Sequence, residues 1–217
     1  MFHTVMTGLL MMLVLSLSAA ETIDSPIGTG SPENNGDFGH ANSVNIGQPF
    51  GVEVGPRGAM YITEVENHRV IEYLPKTGKV RTVAGNGKKG LTRDGGLATE
   101  AALNEPYEVR FAANGDMYFV EMKNHMVRKV DARTQVISTV AGTGERGFSG
   151  DDGPAMNARL NNPHSIALDN QGNLYIADIG NHRIRKVDLA SGMIQSIAGN
   201  NQRLRPQDGQ LAKGNSI

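Results

Sequence analysis

Three histidines, His68, His125 and His182, stand 57 residues apart, each directly after an asparagine. Three imidazoles would suit a catalytic zinc, which takes three protein ligands. An acid precedes each of them: Glu64, Glu121 and Asp178. A second acidic series, Asp37, Asp94, Asp151 and Asp208, keeps the same 57-residue step beside glycine-rich turns, where calcium is the chemistry to test. A third series bears rings. Phe50, Tyr107 and His164 each follow a proline, and Glu108, Arg110 and Ser165 lie close to them. Which series can act depends on the elements that carry it.

Those elements come from a repeat. Pro49, Pro106 and Pro163 are 57 apart, and so are Gly58, Gly115 and Gly172, then Tyr61, Tyr118 and Tyr175. A period held over three copies without slippage marks a repeat architecture. Each unit reads as four short strands. Strand a is Phe50–Val54, Tyr107–Phe111 and His164–Leu168; strand b is Met60–Glu64, Met117–Glu121 and Leu174–Asp178. Strand c lies around Val70–Tyr73, Val127–Val130 and Ile184–Val187; strand d is Val80–Ala84, Val136–Ala141 and Met193–Ala198. Their hydrophobic alternation is loose, as expected when both faces of a sheet pack on neighbours. Four antiparallel strands per unit, repeated, are the blades of an all-β propeller. Repeats are expected at about 47–90, 104–147 and 161–204.

The linkers repeat too. Ile27-Gly28-Thr29-Gly30 falls one period before Ala84-Gly85-Asn86-Gly87, so the region after residue 21 opens on the last strand of a unit. Ala98–Leu103 and Ala155–Leu160 space their apolar residues for a single helical turn, ended by the following Asn and Pro.

Composition narrows the function. The 217 residues carry a net charge of -1, which supplies no electrostatic reason to bind nucleic acid or an anionic membrane. There is no cysteine, so neither a disulfide framework nor thiolate chemistry is available. Residues 1–20 stand apart. Thr7 to Leu17 is almost wholly apolar and Ser18-Ala19-Ala20 offers small residues for a signal peptidase. A run of that length is short for a membrane span, which needs about 20 residues, and suits a signal-peptide core. The expectation is a signal peptide over 1–20, a propeller domain over 21–217, and an exported product, periplasmic or extracellular, with no membrane attachment after cleavage.

Leu174-Tyr175-Ile176-Ala177-Asp178, followed by Asn181-His182-Arg183-Ile184, closely resembles the core motif of the NHL-repeat family of β-propellers. The upstream copies around Tyr61 and Tyr118 match with more drift. The Gly-rich linker Ala141–Ala155 is similar to that of long-repeat bacterial members and of the teneurin NHL propeller. The resemblance covers about residues 22–217 and implies a six-bladed ring, of which three units are present here. We read the chain as a truncated product or fragment, with a homodimer closing the ring as the alternative. The family includes scaffolds, sensor ectodomains, RNA binders and peptidyl-amidoglycolate lyases, so function must be argued from a site.

Placed on a propeller, the three series separate. His68, His125 and His182 fall at the b–c turn of successive blades, two strands out from the axis. Strands are about 4.7–4.9 Å apart, so these imidazoles cannot converge on one zinc, and they are expected to close the turn and pack between blades. Glu64, Glu121 and Asp178 should accept hydrogen bonds from that turn. Asp94, Asp151 and Asp208 lack alternating acidic spacing and read as turn caps. Phe50, Tyr107 and His164 open the innermost strands at the channel mouth, with Glu108, Arg110 and Ser165, and are the candidate ligand-binding residues. His164 is also a candidate metal ligand: Pro163–Leu168 resembles the segment carrying a zinc-binding His in the amidating lyases, although Phe50 and Tyr107 fill the matching positions. The expected function is a binding module for a protein, peptide or glycan, without cofactor or catalytic set. The alternative is a metal-dependent lyase or lactonase-like hydrolase, with zinc or calcium, whose other site residues lie in further blades.

Overall fold

The computed structural model describes residues 25–217 apart from 170, 206 and 207. The expected signal peptide therefore lies outside the described residues. Among the described residues no helix is long and apolar enough to cross a membrane.

Three antiparallel sheets follow one another along the chain. The first blade contains β1 (Phe38–His40), β2 (Pro49–Val54), β3 (Met60–Glu64), β4 (Arg69–Leu74) and β5 (Lys79–Ala84), in the order β1-β5-β4-β3-β2. The second contains β6 (Pro106–Phe111), β7 (Met117–Glu121), β8 (Met126–Val130) and β9 (Ile137–Ala141), in that order. The third contains β10 (Gly153–Pro154), β11 (Pro163–Leu168), β12 (Asn173–Asp178), β13 (Arg183–Asp188) and β14 (Met193–Gly199), in the order β10-β14-β13-β12-β11. Strand placement follows the sequence expectation closely. The number per blade differs: the first and third sheets each gain a fifth, outermost strand from the preceding linker. At the same place the second blade makes a single bridge, Leu97 to Val136.

The linkers explain how blades join. The two expected helical turns are 3-10 turns at Ala98–Glu100 and Ala155–Asn157, and a third stands at Ala41–Ser43. Each presents its first carbonyl to a glycine amide of the preceding unit: Gly28 to Ala41 at 2.8 Å, Gly85 to Ala98 at 2.8 Å and Gly142 to Ala155 at 3.0 Å; Gly199 makes the same contact with Ala212 at 3.0 Å. Residues 27–30 form no strand, yet they keep this contact. Gly142 shows why the residue is glycine. Its φ is +99°, and a Cβ there would have no room against the His125 carbonyl.

Packing is between blades rather than within one. Tyr61, Val70 and Val83 of the first blade meet Val109, Met117, Phe119 and Ile137 of the second around Ala98, Ala101 and Leu103 of the linker. The second and third blades repeat this with Tyr118, Val120 and Val127 against Ile166, Leu174, Ile176 and Ile194. Apolar residues on both faces of the middle sheet, and on the facing sides of the other two, are thereby removed from water, which accounts for the loose alternation in the sequence.

Three arginines sit fully buried in this apolar setting: Arg69, Arg128 and Arg185. Each reaches the buried acid that ends strand b. Arg69 Nε donates to Glu64, Arg128 Nη1 donates to Glu121 at 2.7 Å, and Arg185 lies 3.5 Å from Asp178. Each also reaches the preceding linker, where Asp37, Asp94 and Asp151 stand 3.5, 3.0 and 2.8 Å away. The expectation of simple turn caps at Asp94 and Asp151 is therefore corrected. Asp94 also accepts from the Thr139 amide and hydroxyl, both at 2.9 Å, so it ties linker to blade. Removing one partner of such a buried pair leaves an uncompensated charge, which makes the set a strong register constraint.

Candidate functional site

The ring series is built by a chain of local constraints. In each blade the residue before the repeat proline adopts a left-handed conformation: Gln48 at φ 48°, Glu105 at φ 54° and Asn162 at φ 47°. For residues with a Cβ this costs about 1–2 kcal/mol. In the second and third blades a histidine of the preceding blade holds it. The Glu105 amide donates to His68 Nδ1 at 3.3 Å, and the Asn162 amide donates to His125 Nδ1 at 3.1 Å. The turn histidines themselves carry the left-handed backbone, with φ of 47°, 54° and 48° at His68, His125 and His182. Asn67, Asn124 and Asn181, one residue earlier, use their side-chain amides to bridge the strand-b acid and a carbonyl of the preceding linker, as in Asn181 to Asp178 at 2.7 Å and to Gly147 at 2.8 Å. Through these asparagines the acids accept from the turn as expected, and they also accept from the Gly47, Asn104 and Asn161 amides of the linker before the inner strand.

After the proline each inner strand bulges. Pro49 pairs with Glu64 and Val52 with Ile62, so Phe50 and Gly51 face Thr63 alone. The same shift places Tyr107 and Glu108 against Val120, and His164 between two pairs of the third blade. A bulge re-aims side chains and increases local twist. Here it turns all three rings to the axis. Phe50 and Tyr107 lie 4.4 Å apart between centroids, while Phe50–His164 and Tyr107–His164 are each 4.9 Å. Gly51 makes the approach possible, since a Cβ there would lie 2.5 Å from the Tyr107 carbonyl. Thr63 Oγ1 donates to that carbonyl at 2.6 Å, locking the first blade to the second beside the rings. Phe50 remains 46% exposed, so one face of the cluster is open to solvent. Burial, with Glu105 nearby, holds the Tyr107 hydroxyl above its ordinary pKa, so it stays a neutral donor.

A charged row lines the same strands. Arg110 Nη1 donates to Glu108 and to the Val109 carbonyl at 2.7 Å, and lies 3.6 Å from Glu53. Ser165 Oγ donates to Glu108 Oε2 at 3.2 Å. The structure thus brings Phe50, Tyr107, His164, Glu108, Arg110 and Ser165 together. It adds Glu53, which stands on β2 one 57-residue period before Arg110. His164 is surrounded by rings rather than by ligand-type groups. Among the described residues no cluster of three His, Cys, Asp or Glu side chains could hold a metal ion. The turn histidines do not come together on one centre; two of them receive amides of the next blade.

Blades of antiparallel strands, joined by linkers that close over each interblade seam and led inward to a shared axis, define a β-propeller. The family model of the teneurin NHL domain matches residues 144–212. Protein SUPPRESSOR OF QUENCHING 1, chloroplastic, of Arabidopsis thaliana is 32% identical over 157 residues, 69% of this chain and 15% of that protein. Human NHL repeat-containing protein 2 is 24% identical over 180 residues, 78% of this chain and 24% of that protein. The chain thus spans less than a quarter, or about a quarter, of these relatives. Among solved structures, a structural genomics protein of unknown function from Bacteroides thetaiotaomicron superposes with a TM-score of 0.54 and 27% identity, covering 67% of this chain and 34% of the other. An auxiliary nutrient binding protein from the same organism shares the fold, with a TM-score of 0.55, 20% identity and coverage of 76% and 40%. The chain belongs to the NHL-repeat family.

Proposed function

We propose that this chain is an exported NHL-repeat propeller that binds a protein, peptide or glycan at the mouth formed by Phe50, Tyr107 and His164. The observation that carries the reading is the convergence of three rings, 4.4–4.9 Å apart, on strand openings that each carry a bulge. A partly open ring cluster offers a stacking surface to a sugar or to an aromatic or aliphatic side chain. The adjoining Glu108–Arg110–Ser165 row supplies both acceptors and donors to orient it. Export is supported by the apolar Thr7–Leu17 run before Ser18-Ala19-Ala20, and predicts a recovered product that begins at Glu21.

The test is a screen on glycan and peptide arrays, followed by titration of the strongest probe. Tyr107→Ala should weaken that probe at least about tenfold, as truncation of a central aromatic contact does. Unchanged affinity in both Tyr107→Ala and His164→Ala would place binding elsewhere and end this reading.

A further inference from the structure

The seam between the first and second blades opens into a cleft at the far end of the inner strands. From Phe50, β2 runs on for roughly 13 Å, at about 3.3 Å per residue, before the Pro56–Gly58 turn that borders the cleft. The cleft is therefore separate from the ring cluster. It encloses about 500 Å³, within the range of small-molecule sites. Its apolar wall is Tyr61 and Phe111, with ring centroids 4.4 Å apart, together with Val83 and Met117. Gly55 admits that ring pair, since a Cβ there would lie 2.6 Å from the Tyr61 ring and 2.7 Å from that of Phe111.

Three exposed arginines, Arg57, Arg81 and Arg133, stand on its rim. Behind them the fully buried Glu72 accepts from Tyr61 Oη at 2.7 Å, from Arg57 Nη2 at 2.7 Å and from Arg81 Nε. Burial opposes the charge on Glu72, yet the bonds from Arg81, Tyr61 and Arg57 hold its carboxyl below the ordinary pKa, so it is ionised. Two guanidiniums on one carboxylate leave a surplus of positive charge. Each carries five N–H donors, and Glu72 engages one from each. Arg133 meets Asp131 through its backbone amide, at 2.9 Å, and its guanidinium has no partner among the described residues. The other acids close by are engaged. Asp116 faces Lys129 at 3.6 Å and Asn114 Nδ2 at 3.0 Å, while Asp131 accepts from the Arg133 and Thr134 amides of its own turn.

The second seam does not repeat this charge. One period on, the positions of Arg57, Glu72, Arg81 and Arg133 hold Asn114, Lys129, Ser138 and Ala190. The register is the same, with Glu72 opposite Arg81 and Lys129 opposite Ser138. Closing a seam therefore requires neither the buried carboxylate nor its guanidiniums. We propose that the first seam holds a binding site for a small organic anion, whose carboxylate or phosphate meets Arg57, Arg81 and Arg133 while an apolar or aromatic body lies on Tyr61 and Phe111. Guanidinium forks match the oxygens of both head groups, and the ring pair supplies the apolar contact.

The test is titration of the whole chain, followed by ligand-observed NMR, with phenylacetate, phenyl phosphate and the neutral 2-phenylethanol as probes. At least one of the two anions should bind, the stronger one identifying the head group, and 2-phenylethanol should bind much more weakly. Arg133→Gln, at an exposed position, should weaken the bound anion roughly fivefold, as loss of a charge-assisted bond does. Arg57→Asn should do the same; asparagine tolerates the left-handed backbone that Arg57 adopts at φ 63°. Arg93→Gln, which removes an exposed linker charge instead, should leave affinity unchanged. Failure of both anions to bind at millimolar concentration would overturn the proposal. So would equal binding of 2-phenylethanol, which would leave only an apolar crevice, or equal losses in Arg93→Gln and Arg133→Gln, which would reduce the effect to overall charge.

Discussion

The Glu105 amide of the second blade donates to Nδ1 of His68 in the first, at 3.3 Å. One period later the Asn162 amide makes the same bond to His125 at 3.1 Å. Both bonds need an unprotonated Nδ1. The histidines are therefore joints between blades, and they steady the left-handed residue from which each inner strand departs.

Stability should fall on mild acidification. Burial first, then Lys89, lowers the pKa of His68 below its ordinary 6.5. Burial first, then Arg146 and Lys123, does the same for His125. A histidine with a depressed folded pKa takes up its proton more readily when unfolded. Its contribution is whole above about pH 6.5 and is lost as pH falls from there through the folded values. Urea unfolding between pH 8 and 5 should show this loss, and the double variant His68→Asn, His125→Asn should show less of it. Glu121 and Asp178, whose pKa values burial raises, act in the opposite sense at lower pH and limit the window. An identical slope in wild type and double variant would refute the assignment.

Arg128→Met should cost roughly 3–5 kcal/mol, the range for a buried pair deprived of one partner. Arg128 is fully buried and donates to Glu121, to the Thr92 carbonyl and to Asp94. Arg133, exposed on a turn, serves as control, and Arg133→Met should change little. Equal midpoints in equilibrium denaturation of the two variants would contradict the buried role.

Gly142→Ala and Gly58→Ala separate strain from collision. Both glycines have positive φ, +99° and +71°, but only Gly142 has backbone in the way of a Cβ. Gly58→Ala should cost about 1 kcal/mol from the left-handed backbone alone. Gly142→Ala should cost clearly more and loosen the Ala155 linker contact. Thermal melts that rank them the other way would show that the linker yields.

Zinc analysis after dialysis should find no tightly held, stoichiometric metal in this chain. His164 has Phe50 and Tyr107 as ring neighbours at 4.9 Å, and catalytic zinc sites use three protein ligands. One zinc per chain, lost in His164→Ala and kept in His182→Ala, would favour the lyase-like alternative.

The 57-residue period by itself determined the blades, their strands and the position of the linker turns. Those features depend on residues close in sequence: prolines and glycines that punctuate, and short apolar runs between them. The period also placed Phe50, Tyr107 and His164 at the inner strand openings. Only the tertiary structure decided what they do there. A bulge, invisible in one strand's sequence, turns the rings until they touch. The buried arginines show the same division. Arg128 and Arg185 keep the period, but the matching residue of the first blade is Ile71, and Arg69 takes the role from two positions earlier. Side chains two apart on a strand share a face, so either can reach the same acid. Alignment by period compares positions along the chain, whereas the acid and its linker select whichever guanidinium arrives in space.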